Sequence, residues 1–144
     1  METLRWKTRI AVLWILAAVA MSAHAILING DPASMKNVAE WAVTASRGDW
    51  VFSALFWLVP LWMAFVTVTM KDSVNRWVNF VVAVIFTILN IGHFLICGVR
   101  LSKGIERGPY AEPNAPHHIL LVGSMAVATA LIAWYAWKWP KQEA

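Results

Sequence analysis

The four histidines are the residues of this chain best suited to chemistry, and the sequence gathers them near one end of the molecule. His24 and His93 lie inside two long apolar runs that we expect to be helices running in the same direction, at nearly the same depth. His117 and His118 begin a further run on that same side. Imidazole is a good ligand for Zn, Cu or haem iron, and opposed histidines on neighbouring helices could bind haem b. The layer is therefore a candidate metal or cofactor site.

Two simpler roles compete with metal binding. His24 and His93 could hydrogen-bond each other or a backbone carbonyl, and His117 and His118 could lie at a membrane interface. A titrating histidine pair that senses pH is a further alternative. Because no HxxxH or CxxC spacing occurs within any apolar run, the metal hypothesis depends on the expected depth alone. We therefore expect no cofactor, with haem b, Zn or Cu as the alternative.

A stripe of polar residues follows one face of the third apolar run. Its members step by three, four or seven residues, with Ala83 between them and His93 at the edge: Asn79, Thr87, Asn90 and Cys97. A polar side chain that faced lipid would leave its hydrogen-bonding groups unpaired, so the stripe should face the bundle interior or a wet crevice. Its simplest role is hydrogen bonding between helices.

The elements that must position these residues are four apolar runs. They cover residues 10–28, 50–70, 77–99 and 119–137, and none contains Asp, Glu, Lys or Arg. At about 1.5 Å per residue, each helix would cross a hydrocarbon core about 30 Å thick. With 60% hydrophobic and 14% charged residues, the chain is too apolar for a soluble domain. The sequence predicts an all-α integral membrane four-helix bundle that forms a single transmembrane domain over residues 1–144.

The first loop contains signals for a short additional helix. Asp31-Pro32 is a typical helix start, Gly48 is a suitable stop, and Asp49 could cap the next helix. Between them, apolar residues recur at helical spacing, which predicts an amphipathic helix on the outer membrane surface: Met35, Val38, Ala39 and Ala42.

Two further features interrupt the runs. Pro60, near the middle of the second run, predicts a helix kink, because proline removes a backbone donor and clashes with the preceding turn. The segment 71–76 is expected to be a tight turn.

At the N-terminus, Ala23-His24-Ala25 has the form of a signal-peptidase site, but the apolar run continues beyond it, so we expect an uncleaved first helix.

The basic residues predict the orientation. The segments on the N-terminal side hold more Lys and Arg than the opposite loops, which indicates a multi-pass protein with both termini inside (N-in/C-in). The net charge of +4 then reflects contact with anionic lipid, and a nucleic-acid partner is not expected. The chain is rich in tryptophan, and six of the ten tryptophans are expected to form interfacial belts: Trp6, Trp41, Trp50, Trp77, Trp137 and Trp139.

Three short motifs resemble a known group of proteins. Pro60 in the second helix, Asn75-Arg76-Trp77 opening the third, and the aromatic-basic run 134–139 closing the fourth are similar to small uncharacterised bacterial four-helix inner-membrane proteins. The resemblance implies a four-helix bundle in a bacterial inner (plasma) membrane. It brings no activity or catalytic residues.

The function expected from the sequence is non-enzymatic. The chain has no phosphate-binding glycine loop, no nucleophile elbow and no carboxylate within an apolar run. We expect an accessory or small-ligand-binding subunit in the lipid bilayer, working as a homo-oligomer or within a larger membrane complex. The alternative is a metal- or haem-binding membrane protein, redox or enzymatic, that uses the histidine layer.

Overall fold

The described part of the chain is helical. A computed structural model describes residues 2–30, 32–95 and 116–139. It contains α1 (Glu2–Gly30), α2 (Pro32–Thr44), α3 (Arg47–Thr69), α4 (Asp72–His93) and α5 (Pro116–Lys138). All of these except α2 are long and apolar enough to cross a membrane. The prediction of an all-α chain with four such helices is confirmed for the described residues.

The four long helices pack as a bundle around a shared interior. The closest packing is between α4 and α5, between α1 and α5, and between α1 and α3, whereas the consecutive helices α3 and α4 pack less closely than these pairs. At one end, Lys7 of α1 pairs with Asp72 of α4. At the other end, His24 of α1 contacts His93 of α4. The helices α1 and α4 therefore run in the same direction, and we call these two ends the turn end and the histidine end.

Two groups of buried apolar side chains form the core. The larger group surrounds Trp14, whose ring meets Phe86 of α4 edge-on at 5.8 Å between centroids. Phe86 also stacks on Phe56 of α3 at 5.3 Å between centroids, which joins α3 to α4. The smaller group joins α1 to α5 and consists of Ala20, Met21, Val122 and Met125.

Helix α3 begins earlier than the sequence suggested. Gly48 was expected to end the preceding helix and Asp49 to cap α3, but α2 ends at Thr44 and Gly48 lies in the first turn of α3. The N-cap is Ser46. Its hydroxyl accepts the backbone N–H of Asp49 at 3.3 Å, and the Asp49 carboxylate accepts the backbone N–H of Ser46 at 2.8 Å. This reciprocal capping box fixes the start of α3, which explains why both expectations were wrong.

The expected turn at residues 71–76 is also wrong in its extent. Only Met70 and Lys71 connect α3 to α4, since α4 already begins at Asp72. An acidic residue in the first helical turn is favourable, because it lies near the positive end of the helix dipole. Polar residues therefore do not mark a loop here, and Asn75 becomes a helical residue that can point into the bundle.

Helix α3 continues through Pro60. The buried side chains of α3 are Pro60, Met63 and Thr67, which share one face of the helix. The proline ring thus lies against the bundle interior, and the kink stays a prediction.

The short helix α2 forms at the predicted place, directly after α1. Of the four residues expected on its apolar face, Val38 and Ala42 are half-buried, whereas Met35 and Ala39 are exposed. The packed face instead includes Trp41, whose ring lies 5.0 Å from that of Trp50 at the start of α3.

The six tryptophans expected in the interfacial belts differ in exposure, and Trp6 and Trp41 are half-buried. Trp50, Trp77 and Trp137 are exposed, whereas Trp139 is only 3% exposed and packs with the larger core group.

Candidate functional site

His24 and His93 meet at the histidine end of the bundle. Their ring centroids are 5.3 Å apart and the ring planes are inclined by 68°. His24 is buried, with 3% of its surface exposed, and His93 is half-buried. Each continues the buried face of its helix, because His24 follows Met21 by three residues on α1 and His93 follows Asn90 by three residues on α4. The juxtaposition expected from the register of the two apolar runs is present.

Asn90 adds a buried polar group close to this pair along α4. Its side chain is 1% exposed, and its Nδ2 lies 3.5 Å from the Thr129 hydroxyl of α5, a long contact for a hydrogen bond. Within residues 2–30, 32–95 and 116–139, its Oδ1 has no hydrogen-bond partner. The bundle therefore holds an unused oxygen acceptor one helical turn from His93.

A thioether lies in the same region. Met21 is 5% exposed and belongs to the smaller core group, against which Phe94, the residue after His93, also packs. Residues three apart on a helix are neighbours on its surface, with Cβ atoms about 5–6 Å apart. Met21 and His24 therefore occupy neighbouring positions on α1, and the Met21 side chain is long and flexible.

The remaining members of the predicted histidine layer are described only in part. His117 is half-buried in the first turn of α5. The described part of the structure does not include the His118 side chain or the stripe residue Cys97. Within the described segments, no three side chains of His, Cys, Asp or Glu converge as a metal-binding group. Glu40 of α2 is exposed, and its Oε1 lies 4.0 Å from Nζ of Lys36 on the same helix.

The polar stripe of α4 divides into separate environments. Asn79 and Asn90 are buried in the interior, at different levels of the bundle. Thr87 is half-buried, and its hydroxyl donates to the Ala83 carbonyl of the same helix at 2.7 Å. The stripe is therefore not a continuous polar path through the described part of the bundle.

Asn79 stands at the centre of a hydrogen-bonded group that we call the asparagine clamp: Trp14, Thr67, Asn75 and Asn79. All four side chains are fully buried. The indole N–H of Trp14 donates to Asn79 Oδ1 at 2.7 Å, and the Thr67 hydroxyl lies 2.9 Å from the same oxygen. Asn79 Nδ2 donates to Asn75 Oδ1 at 2.6 Å and to the Asn75 carbonyl at 2.9 Å, and Asn75 Nδ2 donates to the Thr67 carbonyl at 2.6 Å.

The clamp connects three helices in a fully buried region. Trp14 belongs to α1, Thr67 to α3, and the two asparagines to α4. A buried amide costs free energy unless its donors and acceptors are satisfied. Both ends of the Asn79 amide have partners within the group, so the clamp presents no unused Asn79 atom to a ligand. The role of the clamp is therefore structural.

Two clamp residues outside the predicted stripe could have been found from sequence signals. Asn75 lies four residues before Asn79 and extends the stripe by one helical turn. Trp14 lies within its apolar run, where an indole N–H needs an acceptor inside the protein. Thr67 has no comparable signal, since a threonine near a helix end commonly bonds its own backbone, as its 2.6 Å contact with the Met63 carbonyl also shows.

An ion pair closes the turn end. Lys7 Nζ lies 2.8 Å from an Asp72 carboxylate oxygen and 2.8 Å from the Met70 carbonyl. Both charged side chains are largely covered, with 17% and 19% of their surfaces exposed. The first helix is thereby attached to the connection between α3 and α4.

A shallow apolar groove of about 450 Å³ lies between α1 and α5. Leu13 and Leu16 line one side, and Val127 and Leu131 line the other. The groove suits an acyl chain rather than a polar molecule, because its surface is almost entirely hydrocarbon.

Comparisons of the chain with protein-family models, curated proteins and solved structures find no match. Its function is therefore inferred from its own residues.

Proposed function

We propose that this chain is a multi-pass integral protein of a bacterial inner membrane, with both termini in the cytoplasm, and that it acts without catalysis as an accessory or small-ligand-binding subunit. The observation that carries the proposal is that polar groups lie inside the bundle and apolar side chains outside, the reverse of a water-soluble protein. Large apolar side chains cover the outside of all four long helices, while amides and hydroxyls bond to one another inside.

The exterior argues for lipid as the solvent. On α3, side chains that would normally be buried in water point outwards, including Trp62 at 62% exposure, Phe65 at 56% and Phe52 at 58%. A soluble monomer rarely exposes a contiguous apolar patch above a few hundred Å². In a bilayer the same surface is solvated by hydrocarbon, and the helices satisfy their own backbone groups.

The turn end carries features of a cytoplasmic interface. The Arg76 guanidinium lies 5.4 Å from the Trp77 ring centroid, and Lys138 Nζ lies 5.1 Å from the Trp134 ring centroid. Basic residues next to tryptophans anchor helices at the headgroup level, and their excess favours the cytoplasmic side. Since α1 begins and α5 ends at this level, both termini belong to the same side.

The interior chemistry of the described helices supports a role without catalysis. The apolar runs carry no carboxylate that could act as an acid or a base. The asparagine clamp uses its polar atoms to hold the helices together. The exposed aromatic face of α3 supports lateral assembly with a second copy or with another membrane subunit.

Membrane association and assembly can be tested together. The chain should remain in the membrane pellet after an alkaline wash, and it should co-purify in mild detergent as an oligomer or with a stoichiometric partner. Recovery in the soluble fraction would contradict the membrane proposal. A strictly monomeric, partner-free protein in native lipid would contradict the accessory role.

The second candidate function is metal or haem binding at the histidine end. It is favoured by the 5.3 Å separation of the His24 and His93 rings. A haem between these rings would require α1 and α4 to move apart, whereas a single Zn or Cu ion would not. An absorption spectrum and a metal assay on the purified protein test this candidate. A colourless and metal-free protein, unchanged by His24→Ala or His93→Ala, would exclude it.

A further inference from the structure

We propose that the histidine end binds one monovalent copper ion, Cu(I), through His24, His93 and the thioether of Met21. This inference rests on the metal-binding candidate function and specifies its ion and its third ligand.

The separation of the two rings fits a shared ion. Nitrogen–metal bonds to first-row ions are about 2 Å long, which puts the ion about 3.1–3.2 Å from each ring centre. Ring centres 5.3 Å apart then subtend an angle of about 115° at the ion. This is close to the angle of a trigonal, three-coordinate ion. The geometry requires only that each ring turns one nitrogen towards the common point.

The third ligand comes from α1. Met21 lies one helical turn before His24 on the same buried face, and both side chains are almost completely covered. Thioether sulfur is a soft ligand that selects Cu(I), and imidazole also suits copper. The donor set would therefore be two nitrogens and one sulfur.

The charge of the surroundings also favours a monovalent ion. The apolar runs of all four long helices contain no Asp, Glu, Lys or Arg, and the three proposed ligands are neutral when they bind metal. The ion therefore brings its whole charge into a region of low dielectric, where a divalent ion costs much more free energy than a monovalent one. Structural Zn²⁺ sites have four ligands, and within residues 2–30, 32–95 and 116–139 no acidic or thiolate group completes such a set.

The test uses the full chain purified in detergent under anaerobic, reducing conditions. Cu(I) affinity is measured by competition with a chromophoric Cu(I) chelator, Zn²⁺ binding is measured in parallel, and X-ray absorption reports the atoms bound to copper. We expect one Cu(I) per chain, with two nitrogens and one sulfur around it. His24→Ala and His93→Ala should each abolish binding, and Met21→Leu should weaken it by roughly tenfold or more and remove the sulfur signal.

Two control variants separate ligands from other sulfur atoms. Met63→Leu changes a methionine with the same 5% exposure, but in the larger core group, and should leave the affinity unchanged. Cys97→Ser should also retain binding. Since X-ray absorption is recorded on the unaltered chain, the assignment can be refuted even where a histidine variant fails to fold.

The outcomes distinguish this inference from the function on which it rests. If neither Cu(I) nor Zn²⁺ binds, the metal-binding candidate and the copper proposal both fail. If Zn²⁺ binds stoichiometrically and Cu(I) does not, for example with Asn90 as a ligand, metal binding stands and the copper proposal is overturned. Unchanged Cu(I) affinity in Met21→Leu, or loss of binding in Cys97→Ser, overturns the proposed ligand set.

Discussion

Removal of the Asn79 amide should loosen the bundle, because this side chain joins three helices. In Asn79→Ala, the Trp14 indole N–H loses its acceptor at 2.7 Å and the Thr67 hydroxyl loses its contact at 2.9 Å. The Asn75 side-chain oxygen loses its donor as well. All of these atoms belong to fully buried residues, and the apolar environment offers no water to replace the lost bonds.

The size of the effect follows from measured values for membrane helices. A hydrogen bond between helices in a membrane is worth roughly 0.6 kcal/mol on average and at most about 1.7 kcal/mol. Asn79 accepts the Trp14 indole N–H and shares the single Thr67 hydroxyl proton with the Met63 carbonyl, so the free energy of unfolding should fall by about 1–2 kcal/mol. The estimate is lower than for a soluble core, because helices that separate within a bilayer find other partners.

The assay is reversible unfolding in mixed micelles with increasing SDS, followed by tryptophan fluorescence. Ser124→Ala is the matched control, because its hydroxyl is exposed and donates only to the Leu120 carbonyl of its own helix. A double-mutant cycle with Trp14→Phe isolates the indole–amide bond. If Asn79→Ala were no more destabilising than Ser124→Ala, and if the cycle gave no coupling, the asparagine clamp would not hold the helices together.

Three further substitutions test other contacts by the same unfolding measurement. Asp72→Asn should lower the free energy of unfolding by about 0.5–1 kcal/mol at low salt, because it removes the charge opposite Lys7. This loss should shrink as salt is raised, and a salt-independent loss would contradict an ion pair. Gly123→Ala should leave the bundle stability unchanged or raise it by about 0.5–1 kcal/mol, since the added carbon would meet its nearest neighbour at 3.5 Å, an ordinary contact. A destabilisation would indicate tighter packing. Ser46→Ala should lower the free energy of unfolding by about 1 kcal/mol and speed amide hydrogen exchange in the first turn of α3, because the backbone N–H of Asp49 loses its capping partner. Unchanged exchange would refute the cap.

The sequence predicted the long helices well, because uninterrupted apolar runs have few alternatives. It placed their ends less well. Helix α1 begins eight residues before its predicted start at residue 10, since Lys7 lies within the helix and is paired with Asp72 rather than hydrated in a loop. The start of α4 was missed for the same reason. Charge at a helix end says little about where the helix stops, because a partner or the helix dipole can accommodate it.

The candidate site was predictable only in part. The facing of His24 and His93 could be inferred from register, because two parallel helices of similar length bring equivalent levels together. The contact of Trp14 and Thr67 with one amide oxygen could not, since it depends on how three helices are rotated about their axes. Rotation is set by the packing of Phe56, Phe86 and their neighbours, which no single helix encodes.

The most direct test of the membrane bundle is a topology measurement with paired reporters fused to the N-terminal and C-terminal ends of the full chain. One reporter of each pair is active only in the cytoplasm, and the other only outside it. Four spanning helices require both ends to report the same compartment, which we predict to be the cytoplasm, with the α2 segment accessible from the opposite side. Ends that report opposite compartments would contradict an even number of crossings and the common orientation of α1 and α4.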